Sequence, residues 1–166
     1  MAKRQGFSLV ELLVVVVIVG VVALGVTLSV RGTSERRLSR EAERFAALVG
    51  QACEQAELGG REIGIVVDSG GYAFRRLAGT DWLDFPADGE LRPRTWAEGL
   101  HAELAREGRT ADLSSTPDGA PQLVCFSSGE LTPFVLTLAL GDAPMRYRVS
   151  GTEDATVEVK RVGAGR

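Results

Sequence analysis

Between Phe7 and Val30 the chain carries a single ionisable side chain, Glu11, in a run made mostly of Val, Leu, Ile, Gly and Ala. Such a run, wound as a helix at about 1.5 Å per residue, is roughly 36 Å long and exceeds a hydrocarbon core of about 30 Å. It is expected to be a transmembrane helix. Lys3 and Arg4 stand before it with no acid between, which places the N-terminus in the cytoplasm and everything after Val30 on the other side. Ala23-Leu24-Gly25 offers a small-x-small site, but a cleaved secretory signal has a shorter apolar core. A plain signal anchor accounts for the length and the basic flank. It leaves Glu11 unexplained, because a carboxylate taken into a bilayer costs free energy unless it finds a partner.

The segment after the run, 31–58, is amphipathic. Leu38, Ala42, Phe45, Val49, Ala52 and Ala56 recur at spacings of three and four, while Arg36, Arg37, Arg40, Glu41, Glu43 and Arg44 take the other positions. No proline interrupts Phe7 to Leu58, and Gly59-Gly60 supplies a stop. One long helix is therefore expected, softened at most near Gly32-Thr33-Ser34, with its second half packed on the domain 59–166. That domain reads as β. Ile63–Asp68 and Tyr72–Leu77 flank Ser69-Gly70-Gly71 as a hairpin. Leu123–Phe126 and Phe134–Leu140 read as a second pair around Ser127-Ser128-Gly129-Glu130, with Phe134, Leu136, Leu138 and Leu140 on one face. Arg146–Ser150 and Thr156–Arg161 make a third, with Tyr147 and Val149 facing Val157 and Val159. Between residues 80 and 121 strands and loops are both open, 108–121 reads as an exposed loop, and 163–166 as a frayed end.

Glu11 acquires a purpose when its surroundings are read together. Gly6-Phe7-Ser8-Leu9-Val10-Glu11-Leu12-Leu13, with basic residues before and an apolar helix after, resembles the leader and cleavage site of type IV pilins and type II secretion pseudopilins. The resemblance implies that a prepilin peptidase cuts between Gly6 and Phe7, discarding 1–6, and that the new Phe7 amine is methylated. The apolar helix 7–30 is retained. Glu11 lies one turn from that amine on the same face, and in a bundle it pairs with the amine of a neighbour, favouring register more than raw stability.

The rest of the chain narrows the resemblance. Gly60-Arg61-x-Ile63-Gly64-x-x-x-Asp68, Gly71-Tyr72-x-Phe74, Cys125-Phe126-x-x-x-Gly129-x-x-Thr132-Pro133-Phe134 and Tyr147-x-Val149-x-Gly151 look like the H-type minor pseudopilins, whose relatives include minor pilins of type IV pili. That implies an α+β, pilin-like fold: a long N-terminal helix, half transmembrane and half amphipathic, packed on antiparallel sheet. It implies a structural subunit near the tip of a periplasmic filament that exports folded proteins, with the major pseudopilin, other minor pseudopilins and the inner membrane as partners. A minor pilin of a type IV pilus or DNA-uptake filament is the alternative.

Catalysis finds no footing here. His101 is the single histidine, and the elbow, zinc and phosphate-loop motifs are missing. No cofactor or metal set is expected, since Asp81, Asp84, Asp88 and Glu90 depart from calcium-loop spacing and read as solvated turn acids. A net charge of −3, from 19 basic and 22 acidic residues, argues against nucleic acid, and Arg75, Arg76, Arg92 and Arg94 read as solubilising charge rather than a DNA groove. Cys53 and Cys125 both fall on the oxidising side of the membrane. One disulfide and two separate buried thiols both remain open.

Overall fold

The computed structural model describes residues 9–113, 120–141 and 145–163, with the backbone alone within 22–33. A single helix, α1 (Leu9–Gly59), runs through the junction at Gly32 without a break. At 51 residues it is about 76 Å long. Its second half buries the stripe that spacing marks out: Leu38, Ala42, Phe45, Val49, Ala52 and Ala56 are each at most 1% exposed, and Leu48 and Cys53 widen the same face.

Two antiparallel sheets lie under that stripe. The first is built on β1 (Ile63–Val67) and β2 (Gly71–Ala78), with β3 (Asp81–Asp84) and β4 (Arg94–Thr95) sharing the outer edge of β2 and β7 (Leu123–Cys125) beside β1. The second runs β10-β9-β8-β5-β6, from β5 (Leu100–Arg106), β6 (Arg109–Thr110), β8 (Phe134–Leu140), β9 (Met145–Gly151) and β10 (Val157–Gly163). The helix touches both, reaching β1 and β7 of the first and β8, β9 and β10 of the second. Ile65, Val67, Tyr72 and Phe74 from one sheet and Leu104, Leu136, Leu138 and Val149 from the other join the helical stripe in one core. Phe45 is central: its ring meets Tyr72 edge-on at 5.0 Å and Phe134 at 6.1 Å.

Local turn chemistry explains the hairpins. Asp68 Oδ1 accepts the N–H groups of Gly70 and Gly71, both at 2.7 Å, and closes β1 onto β2. Glu107 and Gly108 both have positive φ, which is the two-residue turn whose twist suits adjacent strands, and they join β5 to β6. Val149 pairs with Val159 across β9 and β10, with Val149 buried and Tyr147, Val157 and Val159 half-buried against the core. Phe134, Leu136 and Leu138 are buried, and Leu140 is partly so.

Three expectations are corrected. β7 and β8 are not a pair: β7 lies beside β1, with Ile63 opposite Cys125, while β8 sits between β5 and β9 in the other sheet. A single bridge, Cys125 to Leu131, closes the turn between them, and Pro133, without an N–H, stands where a continuing ladder would need a donor. The stretch 108–121 is not simply an exposed loop either. Arg109–Thr110 is a strand and Leu113 is buried, because the turn at Glu107 folds the chain back onto β5; Gly163, expected to fray, closes β10 opposite Met145, and residues 114–119 and 164–166 lie outside the described residues.

Candidate assembly interface

The described side chains at the start of α1, from Leu9 to Val21, are all exposed. Every large apolar side chain from Leu9 to Val21 stands in the open, between 47% exposed at Val14 and 81% at Leu9. Soluble monomers rarely leave so much contiguous apolar surface uncovered, and an extended patch marks a membrane or protein contact. Among the described residues no helix is long and apolar enough to cross a membrane; the described apolar side chains end at Val21, and the expected span to Val30 runs beyond them.

Glu11 lies in the first turn of α1 and is exposed among these residues. The free N–H groups of a helix start favour a carboxylate there. Gly6 and Phe7, the expected cleavage and methylation residues, lie outside the described residues.

At the other end of the molecule the helix is fastened. Cys53 on α1 and Cys125 on β7 form a disulfide, with Cα atoms 4.8 Å apart and a sequence separation of 72. Beside it, the Gln122 side-chain amide bonds both the N–H and the carbonyl of Val67 at 2.9 Å, prolonging β7 along β1 with a side chain in place of backbone. Gln122 was not singled out in sequence; its place, directly before the apolar Leu123-Val124-Cys125, is the only signal it gives.

The charged residues considered for other chemistry are dispersed. Arg75 pairs with Asp84 at 2.7 Å, and Arg92 and Arg94 donate to the carbonyls of Gly89 and Glu90. Glu90 also accepts from Gln51 of the helix. No group of His, Cys, Asp and Glu suited to a metal occurs among the described residues. His101 sits exposed on β5, near Glu103 and Arg146 on an open sheet face. Arg75, Arg92 and Arg94 are thus tied to one acid and two loop carbonyls.

Comparison with known proteins bears on both halves. Residues 1–27 match the family model described as a prokaryotic N-terminal methylation motif, and residues 41–155 match that of type II transport protein GspH. The chain is 34% identical over 157 residues to type II secretion system protein H of Aeromonas hydrophila, covering 87% of this chain and 86% of that one. It is 37% identical over 150 residues to the protein of the same name from Pseudomonas aeruginosa, covering 84% and 85%. The crystal structure of the minor pseudopilin EpsH from the type II secretion system of Vibrio cholerae superposes with a TM-score of 0.64 at 26% identity, covering 79% of this chain and 96% of that one.

Proposed function

The chain belongs to the GspH family of type II transport proteins, and on that premise we propose how it is processed, anchored and built into a filament. As a member of that family it is a minor pseudopilin, a structural subunit of the periplasmic pseudopilus of a type II secretion system. The matched relatives are secretion proteins, and nothing favours the pilus or DNA-uptake alternative.

In the proposed sequence of events a prepilin peptidase removes residues 1–6 and the Phe7 amine is methylated. Residues 7–30 hold the subunit in the inner membrane with the domain 59–166 in the periplasm. The subunit then joins the major pseudopilin and the other minor pseudopilins near the filament tip. One observation carries the reading: α1 passes without a break from Leu9–Val21, which no described part of this chain covers, to a segment whose apolar stripe is buried on its own sheets. A helix so divided has half its apolar surface reserved for something outside the chain. Glu11, the carboxylate in that half, gains a partner when a neighbour's amine comes alongside.

Two measurements test this. The intact mass of native protein from membranes is expected to correspond to a chain beginning at methylated Phe7; a chain beginning at Met1 or near Val26 overturns the processing. Glu11→Leu is expected to leave insertion and cleavage intact while filament incorporation drops about tenfold or more, as for the loss of a buried ion pair. Undiminished secretion by Glu11→Leu at native expression refutes the role of the carboxylate.

A further inference from the structure

Where α1 meets the chain leading from β4 to β5 there is an open groove of about 620 Å³, lined by Arg37, Arg40, Glu41 and Arg44 from the helix and by Ala97 and Glu98 opposite. Spacings of three and four put the three arginines on one helical face. Arg44 is ion-paired to Glu41, and the Nε of Arg40 donates to the carbonyl of Arg36 at 3.1 Å. Arg37 has no ion-pair partner among the described residues.

Behind the groove lie two buried polar groups whose hydrogens meet no acceptor, the Tyr72 hydroxyl and the Arg94 Nε. Tyr72 is 2% exposed, and its hydroxyl faces the Arg44 guanidinium, itself a donor, so that the hydroxyl proton finds no acceptor. Arg94, directly opposite Tyr72 on β4 and so on the same sheet face, has a buried Nε with no acceptor. Burial pushes the Tyr72 hydroxyl above its ordinary pKa, with the nearby Arg44 guanidinium acting against the rise. The hydroxyl therefore sits against the groove wall formed by Arg44. Buried polar groups are almost always satisfied, and each orphan calls for an explanation. Here the two groups are one guanidinium N–H and one hydroxyl, both able to donate. What is missing is a negatively charged acceptor.

We infer that this groove receives a carboxylate side chain of a neighbouring pseudopilin, held by Arg37, Arg40 and Arg44 above the Tyr72 hydroxyl. The inference rests on the filament reading given above. A guanidinium fork matches a carboxylate in two parallel bonds. Glu41 and Glu98 in the walls repel a dianion more than a single carboxylate, and so open a groove does not enclose a free ion. The groove also lies on the same helix as the uncovered stretch Leu9–Val21, further along it. A subunit covering that stretch runs past the groove as well.

The test uses the full-length protein in membranes that contain the other pseudopilins. A photoreactive residue replaces Glu98, and a cysteine at Val14 reports contact along the apolar helix. The expected result is a photoadduct with another pseudopilin that falls about tenfold in the Arg37→Glu, Arg40→Glu double variant while the Val14 cross-links persist. Replacing an acidic residue within the cross-linked peptide of the partner by lysine should restore the adduct. Tyr72→Phe should also weaken the adduct while leaving the urea midpoint of the detergent-solubilised protein nearly unchanged, because it removes a buried hydroxyl whose proton has no acceptor without the partner. An adduct indifferent to charge reversal, an adduct with a second copy of this chain alone, or no adduct while Val14 cross-links persist would each overturn the inference. Absence of Val14 cross-links in the unaltered sequence would instead overturn the filament reading, and the groove's assignment with it.

Discussion

A methyl group placed on Gly151 would fall 2.3 Å from Cε1 of Phe134 and 2.8 Å from Cδ2 of Leu131. Phe134 has little room to retreat, since its ring abuts Phe45 in the aromatic centre of the core. Gly151→Ala is therefore expected to lower stability by about 2 kcal/mol through overpacking, measured by urea unfolding of the detergent-solubilised protein. Gly50→Ala is the contrasting case. It lies inside α1, and an added Cβ meets nothing within 4 Å, so the change should stabilise by up to about 1 kcal/mol by restoring helix propensity. A denaturation midpoint that moves the same way in both variants contradicts the packing argument. Residues of these two kinds differ in how plainly the sequence declares them. Glu11 stands out because it is alone in an apolar run, a property of neighbours along the chain. The closeness of Gly151 to Leu131, or of Tyr72 to Arg94 and Arg44, arises from strands and helix crossing in space, and no local pattern carries it.

Among the elements, those whose contacts are local were legible. The helical stripe from Leu38 to Ala56 and the hairpins at Asp68 and between β9 and β10 follow from periodicity and turn residues over short spans. β5 stays open between strand and loop in sequence although Leu100, Ala102 and Leu104 alternate with His101 and Glu103, because Pro and Gly around it obscure its start. β7 and β8 were wrongly paired because proximity in sequence favours a hairpin, whereas the preference of β7 for β1 depends on a strand some sixty residues earlier. The same long-range docking brings Cys53 to Cys125. Cross-linking a loop of this size raises stability by about 4 kcal/mol in the chain-entropy account. The Cys53→Ala, Cys125→Ala double variant is expected to lose about 2 to 4 kcal/mol in urea unfolding; an unchanged midpoint would show that packing of α1 alone secures the helix.

For the molecule as a whole, the division of α1 predicts separable behaviour. A fragment from Thr33 onward keeps the helical face that its own sheets cover and loses the uncovered one, so it should sediment as a soluble monomer. The full-length chain should cross-link through cysteines at Val14 and Val17 to other pseudopilins more than to itself, and a continuous ladder of self-adducts would contradict its minor role. The place of the disulfide has a mechanical consequence. A pull on the exposed end of α1 acts along its axis and loads the helix–sheet packing in shear, the mode in which interlocked side chains share force side by side. Cys53 stands near the far end of the rod, beyond most of that packing. Any tension that begins to draw the helix past its sheets is therefore taken up by a covalent bond to β7, and a tug from the root carries the head along instead of unthreading it.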